Sequence, residues 1–543
     1  DLRIDVVCCK DEKELLLEWS KLIKERDPDF ITGYNIFGFD FRYINDRVDE
    51  YFKCPTFWSG DSRCKWGHHE SCPKRHFLNL GKINLDETTH QNKICKFKEQ
   101  DLNSSALGEN KLSYYTMDGR ILFDIQKEIE KGQPMDSYKL DNVASYFMRG
   151  KLKQIENDRI MVDSIGHLKD GDYISFSLHS NIGEQSYNDG KKIKIKSIIK
   201  GKHIFLEEPL TIQLDDYHKV EWCLNKDDIS PQDIFDKHKD SGPNGSKGRA
   251  EVAKYCIQDC ELCINLLLLL DIIPNNLAMA NVSFVPASYI FLRGQGVKVT
   301  SVVTKECSKR KTLIPELVKI PNLNTYVKMA KNNFTDDKIK EQIIDDSGWR
   351  KPRPWELEKW MELIKKKDDY VIPGYEGAIV LDPTPGIYLE DPIVVLDYAS
   401  LYPSSIIEKN ISHETFIDNP EIIDKLKLVD GVDYHTIVYD NWIYKGKGSG
   451  DTIDKILDEK NPKITCQFLT KKFMEDRNLG SMGIIPAVLN HLLSARSATK
   501  KRMKKEPDEF KKKVLDGLQL AYKVTANSVY GQLGAKTSTI FKM

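Results

Sequence analysis

Four apolar residues in a row, Ile393-Val394-Val395-Leu396, three of them β-branched, run straight into Asp397 and then into a turn closed by Tyr402 and Pro403. Such a run favours a buried, pleated strand. The stretch therefore predicts a strand that delivers one carboxylate to its own end. A carboxylate there can hold a metal ion, and an isolated Asp can also simply cap the turn. The rest of the chain has to decide between the two.

With 543 residues, 40% of them hydrophobic and 30% charged, the chain is long enough for roughly three or four domains. Its longest apolar run, Cys263 to Ile273, is broken by Asn265 and Asp271 and is too short to span a bilayer. No basic segment followed by an apolar stretch opens the chain, so an intracellular protein without membrane contact is expected. A net charge of −1 advertises no global field for nucleic acid, and any such surface has to be local. One candidate is the run from Lys500 to Lys513, with eight Lys or Arg in fourteen residues; it also reads as a solvated hairpin tip. The twelve cysteines are mostly scattered, as reduced thiols are. Cys64, His68, Cys72 and His76 recur at intervals of four, yet no CxxC pair is present and Lys and Gly surround them, so zinc is not the expected occupant.

Taken in order, residues 11–26 carry Leu15, Leu16, Trp19, Leu22 and Ile23 at helical spacing and stop at Asp27-Pro28-Asp29. Leu2 to Cys9 reads as a strand, as does Phe30-Ile31-Thr32, which enters the glycine-punctuated turn Gly33 to Phe39 and reaches Asp40. A strand and then a helix are expected around Gly119 to Asp124. Residues 151–224 alternate short β-branched runs with Gly and Asp turns, the pattern of a small β-rich insert. A flexible linker (239–248) precedes a helix from Ala250 to about Leu270, on which Tyr255 and Asp259, four apart, share a face. Residues 415–470 read as loop-rich. From Gly483 a helix carries Ile485, Leu489 and Leu492 as an apolar stripe that Arg496 and Lys500 continue. A second helix, from about Pro507, places Val514, Leu518, Ala521 and Thr525 on one side and Gln519, Lys523, Asn527 and Tyr530 on the other. Such a hairpin can aim Arg496, Lys500, Lys523 and Asn527 at one anion.

These residues carry a resemblance to the family B DNA polymerases with a proofreading exonuclease. Asp397-Tyr398-Ala399-Ser400-Leu401-Tyr402-Pro403-Ser404 resembles that family's first polymerase motif, and Lys523 to Gly531 its K-x-x-x-N-S-x-Y-G motif. Tyr375-Glu376-Gly377-Ala378 is similar to the turn linking the two activities, and Leu493-Ser494-Ala495-Arg496 to the fingers helix, most closely that of the polymerase delta branch. Tyr34-Asn35 through Asp40 resembles the second exonuclease motif, and Tyr255-x3-Asp259 the third. Gly38 stands where cellular relatives have Asn, a form similar to polymerases of nucleocytoplasmic large DNA viruses. The resemblance places the first exonuclease motif, with its Asp and Glu, before residue 1, and the Y-G-D-T-D motif after residue 543, so residues 1–543 alone are expected to be inactive.

What the resemblance implies is an α/β multidomain (α+β) chain: a ribonuclease H-like 3′–5′ exonuclease domain, then a right-hand polymerase palm and helical-hairpin fingers. The expected boundaries are 1–275 for the exonuclease, 276–375 for a connecting region, 376–483 for the first part of the palm, 484–531 for the fingers and 532–543 for the return to the palm. Two Mg²⁺ ions per active site would activate the primer 3′-hydroxyl and the leaving pyrophosphate, held by Asp397 and the Tyr398 carbonyl. The Ser400 and Leu401 amides would bind the triphosphate, and Tyr402 would exclude a 2′-hydroxyl. Arg496, Lys500 and Lys523 would clamp the triphosphate, Lys523 also assisting catalysis, with Asn527 as a neutral donor. Tyr530 and Gly531 would border the nascent base pair, and Tyr375 and Gly377 would contact DNA. In the exonuclease, Asp40 and Asp259 would hold metal while Tyr255 positions the attacking water. The implied partners are primer–template DNA and deoxynucleoside triphosphates, with a sliding clamp left open for the full-length protein. The implied setting is a nucleus or a cytoplasmic viral factory.

Overall fold

In a computed structural model of the chain, helix α1 (Glu12–Arg26) starts where Asp11 accepts a hydrogen bond from the Glu14 amide and stops at Asp27, which is left-handed. Acidic residues in its first turn and basic ones in its last complement the helix dipole. The structure describes residues 5–543 apart from 53–72, 84–93, 103–109, 200–201, 227–228, 241, 315–322, 333, 347–351, 353–356, 359, 362–363, 366–383, 391, 418, 446–453, 460, 536–537 and 539–543. The chain forms two units, Asp1–Asn276 with Pro286–Gly294, and Leu277–Val285 with Gln295–Met543. Among the described residues no helix is long and apolar enough to cross a membrane.

In the first unit, strand β1 (Phe30–Gly33) is followed by helix α2 (Phe41–Tyr51) and by β2 (Phe97–Asp101), β3 (Lys111–Tyr115) and β4 (Ile121–Asp124). β1 and β4 pair in parallel, with Gly33 opposite Asp124, and β2 and β3 form an antiparallel pair. The strand expected at Leu2–Cys9 is not formed over its described part, 5–9, where Val6 and Val7 are exposed. A strand needs a bonded neighbour, and 5–9 has none among the described residues.

β5 (Arg149–Glu156), β6 (Arg159–Val162), β7 (Tyr173–Ser180), β8 (Gly183–Ser186), β9 (Ile193–Ile199), β10 (His203–Leu206) and β11 (Lys219–Asn225) follow. They pair in the order β11-β5-β6-β10-β9-β7-β8, and an additional β11–β7 pairing closes the ring. Among the described residues, closure leaves only β8 at an edge of this sheet. Ile160, Ile174, Phe176, Ile195 and Ile204 point inward and are fully buried, each contributing about 1.5–3 kcal/mol. Gly150 is required by the Trp222 indole, whose Nε1 would lie 2.6 Å from a Cβ placed there. Helix α3 (Gly245–Leu269) buries Leu262 and Leu266 in the same core, with Phe123 stacked on Phe291.

In the second unit, α4 (Gln295–Lys309), α5 (Leu401–Glu408), α6 (Ile484–Lys505) and α7 (Glu509–Gly534) share one core. Val299, Val303, Ile406, Ile485, Leu489, Ala521 and Val529 meet there. The buried stripe of α6 is Ile485, Val488, Leu489, Leu492 and then Thr499, so Lys500 lies outside it and is exposed. On α7 the stripe includes Leu515 rather than the exposed Val514. Residues 434–469, read from sequence as loops, form β12 (Tyr434–Asp440) paired with β15 (Lys463–Leu469), and β13 (Trp442–Lys445) paired with β14 (Asp454–Leu457).

The largest departure from the sequence pattern lies at Ile393–Leu396. Residues 392–398 form no regular secondary structure, and Ile393, Val394, Val395 and Leu396 are 69%, 75%, 87% and 89% exposed. Apolar β-branched residues favour a strand only where a neighbour supplies backbone bonds and a face to pack on, and among the described residues nothing pairs with this segment.

Candidate active sites

In the first unit the end of β4 organises a turn. Asp124 is 1% exposed, and its carboxylate accepts the amides of Asn35 at 2.9 Å, Phe37 at 3.0 Å and Gln126 at 3.0 Å. Burial raises its pKa despite those three donors. Asn35 is left-handed, and Ile36–Asp40 forms one wide helical turn that runs into α2, with Phe37 buried as its anchor. Asp40 therefore leaves the turn at a fixed place. Its residue is largely exposed, while partial desolvation of the carboxyl raises its pKa.

Tyr255 and Asp259 lie one turn apart on α3, and a residue that sequence reading passed over joins them. Lys226 follows the last residue of β11, and its ammonium donates to the Tyr255 hydroxyl at 2.7 Å and pairs with Asp259 Oδ1 at 3.4 Å. It also lies 4.9 Å from the centroid of the Tyr255 ring. The Lys226 backbone is held as well, its amide by Asp141 Oδ1 at 3.1 Å and its carbonyl by Lys192 Nζ at 3.1 Å. Burial works against its charge, but the bond to Tyr255 and the charge of Asp259 leave its pKa above the ordinary lysine value. Nearby, the Cys263 thiol is pushed up to about 12, first by burial and then by neighbours that include Asp259, Asp124 and Asp40. Neither Lys226 nor Asp124 stands at a spacing from Tyr255 or Asp40 that a sequence pattern could reveal.

In the second unit, Asp397 and Tyr398 are exposed on the irregular segment before α5. Ser400, left-handed at φ 58°, turns the chain into the helix without capping it through its side chain. The amides of Leu401 and Tyr402 thus stand at an uncapped helix start, where backbone donors favour an anion. The Tyr402 ring stacks on that of Tyr530, with centroids 4.7 Å apart and planes 15° from parallel. This contact brings the start of α5 to the hairpin of α6 and α7.

On the hairpin, Arg496 is half-buried and its Nε donates to Gln519 Oε1 at 3.2 Å. Lys500, Lys523 and Asn527 are exposed. Gly531 lies within α7, and a Cβ there would meet open space. Tyr375, Gly377, Cys64, His68 and Cys72 lie outside the described residues. Among the described residues no group of three or more His, Cys, Asp or Glu side chains could hold a metal ion.

Two family models match the chain: DNA polymerase family B over residues 285–543, and DNA polymerase family B, exonuclease domain, over residues 1–143. The chain is 36% identical to the DNA polymerase of Pyramimonas orientalis virus, over 99% of its own length and 39% of that protein's. It is 33% identical to the DNA polymerase of Phaeocystis pouchetii virus, over 98% of its length and 45% of the relative's. With the DNA polymerase delta catalytic subunit of Dictyostelium discoideum it shares 27% identity, over 98% of its length and 31% of that subunit's. The chain thus spans less than half the length of these relatives.

Proposed function

This chain belongs to DNA polymerase family B, and from that premise we propose that it carries much of two active sites of a replicative enzyme. One transfers a deoxynucleoside monophosphate to a primer 3′-hydroxyl on a DNA template, and the other removes 3′-terminal nucleotides. The observation that carries the reading is the Tyr402–Tyr530 stack, which ties the uncapped start of α5 to the cationic hairpin. A triphosphate on the Leu401 amide then has Arg496, Lys500 and Lys523 available from the hairpin.

In this reading the Ser400 and Leu401 amides and the three cations bind the triphosphate and stabilise the charge that develops on the leaving group. Asn527 adds a neutral donor. Tyr402 presents its ring to the sugar, and its stack on Tyr530 fixes the ring's orientation. Asp397 and the Tyr398 carbonyl are oxygen donors, suited to a hard cation such as Mg²⁺, and Asp40 and Asp259 are the corresponding donors in the exonuclease. Bound there, such ions would supply activation of a hydroxyl or water and neutralisation of phosphate charge. In the exonuclease, Tyr255 orients the attacking water, and Lys226 holds Tyr255 and Asp259 in register. Tyr375, Gly377, Tyr530 and Gly531 would contact primer–template DNA, and a sliding clamp is the processivity partner proposed for the complete protein. Replication inside a nucleus or a viral factory is the proposed setting.

The test is a pair of substitutions in the complete protein that contains this chain. Asp397→Ala should abolish primer extension and leave 3′–5′ degradation intact, and Asp40→Ala should do the reverse. Primer extension that survives Asp397→Ala would overturn the assignment.

A further inference from the structure

The start of α6 has no cap of its own, because Gly483 at its N-cap has no side chain. Its first amides are satisfied from another part of the chain. The Gly483 amide donates to Asn410 Oδ1 at 2.7 Å, the Ile484 amide to Glu414 Oε1, and the Ile485 amide to Ser412 Oγ at 3.2 Å. Pro486 has no amide to satisfy, and Ala487 already donates to the Gly483 carbonyl at 2.9 Å. Every donor that a helix start normally leaves over is therefore accounted for.

The loop that supplies these acceptors is itself fixed. Ser412 Oγ donates to Glu414 Oε2 at 2.7 Å, and Thr415 Oγ1 donates to the Asn410 carbonyl at 2.6 Å. Asn410 is fully buried, and its Nδ2 donates to the Leu469 carbonyl at 2.8 Å. The approach is close enough that a Cβ at Gly483 would lie 2.7 Å from Ser412 Cβ and 3.0 Å from Thr415 Cγ2. On the other flank, Arg310 donates to the Met482 carbonyl at 2.6 Å.

The same segment begins with Ser400, Leu401 and Tyr402 and ends, one short helix later, in this cap. We propose that Asn410, Ser412 and Glu414 are positioning residues for the nucleotide: they set the angle at which α6 leaves the α5 segment, and so the place of Arg496 and Lys500 relative to Ser400–Tyr402. The inference rests on the reading of Arg496 and Lys500 as a triphosphate clamp. The apolar base of α6 holds the helix down, but burial is non-directional and tolerates tilt, whereas three hydrogen bonds do not. At 1.5 Å rise per residue, Arg496 lies about 18 Å and Lys500 about 24 Å beyond the helix start. A tilt of about 10° at the cap would move them by about 3–4 Å, and a misplacement of about 1 Å in a catalytic assembly can cost on the order of 10²-fold.

The experiment compares the Ser412→Ala/Glu414→Ala double variant with Glu414→Gln in the complete protein, leaving Asn410 intact to protect folding. The readouts are dNTP kinetics, primer–template affinity and 3′–5′ degradation, with hydrogen exchange at Gly483–Ile485 confirming that the cap is gone. The double variant should lose about 10²-fold in kcat/KM for dNTP, with KM raised at least about tenfold, while primer–template affinity and degradation stay at wild-type levels. Glu414→Gln keeps an acceptor for the Ile484 amide and should stay within about threefold of wild type. Unchanged dNTP kinetics in the double variant would overturn the proposal, and so would losses of equal size in all three activities. Failure of the unsubstituted protein to extend a primer would instead overturn the polymerase reading on which the proposal stands.

Discussion

Tyr402 and Tyr530 lie ring on ring, centroids 4.7 Å apart and planes 15° from parallel. One stands in the first turn of α5 and the other near the end of α7, so a single contact registers the proposed triphosphate end against the proposed base-pair end.

Such a stack is worth about 0.5–1.5 kcal/mol beyond the area it buries, and Phe can supply nearly all of it. Tyr402→Phe should therefore keep both stability and preference for deoxynucleotides. Tyr402→Ala removes the ring proposed to lie beneath the sugar, and the ratio of kcat/KM for ribonucleotide over deoxynucleotide should rise by about 10–100-fold. A ratio unmoved by the alanine change would show that Tyr402 does not face the sugar.

Asp124 gathers three backbone amides, and each would be left without its acceptor by Asp124→Ala. At about 1–3 kcal/mol per buried unsatisfied group, the loss should reach at least about 3 kcal/mol in urea unfolding of the complete protein, with degradation of primer ends lost as the turn bearing Asp40 loosens. Because burial raises its pKa above 3.8, the folded state binds the proton more tightly than the unfolded one. This group's stabilising contribution is full below 3.8 and is lost as pH rises through its folded pKa. Asp124→Asn removes that titration, and its unfolding free energy should fall less with rising pH in that window than wild type's. An unchanged slope would mean that the carboxylate is not desolvated in solution.

What could be read in advance follows how local each signal is. The helices that became α1, α6 and α7 were legible because their apolar residues repeat at 3.6-residue spacing, and the barrel strands because Ile and Val alternate with Lys between turn residues. The β12–β15 pair was missed: β12 is largely exposed on both faces, Val438 and Tyr439 included, so no apolar–polar alternation marks it. At Ile393–Leu396 the propensity was read correctly and the outcome was not, since a strand belongs to a sheet and its neighbour is not written in its own residues. Lys226 and Asp124 were illegible for the same reason. Their partners come from other elements, and only the fold puts an ammonium from the end of β11 on a tyrosine and an aspartate of α3.

That ammonium has a measurable consequence. Lys226→Met removes the hydrogen bond to Tyr255 and the ion pair with Asp259 while keeping most of the stem's packing. Degradation of a primer 3′-end should slow at least about tenfold, with primer extension unaffected, and Lys226→Arg should recover part of the loss by restoring the charge. Full exonuclease activity in the methionine variant would reduce Lys226 to a structural contact of the barrel.

Gly38 lies in the turn that carries Asp40, and the structure says what a side chain there would cost. Gly38 does not occupy the left-handed region, so no strain of its own forbids a side chain; the obstacle is Asn35, whose Oδ1 would lie 2.3 Å from a Cβ at 38. Asn35 is exposed, and its backbone, at φ 59°, is one that Asn adopts readily. Its side chain can therefore swing into solvent, a rotamer change of about 0.5–1.5 kcal/mol at most. Replacing a helical glycine recovers up to about 1 kcal/mol, so the two terms nearly cancel. Gly38→Ala should therefore alter unfolding free energy by less than about 1 kcal/mol and leave 3′–5′ degradation within about threefold of wild type. If the clash instead displaces the turn that carries Asp40, activity will fall and Asn35→Ala added to Gly38→Ala will restore it. A loss that Asn35→Ala does not relieve would show that Gly38 serves the substrate's approach rather than the packing of its own turn.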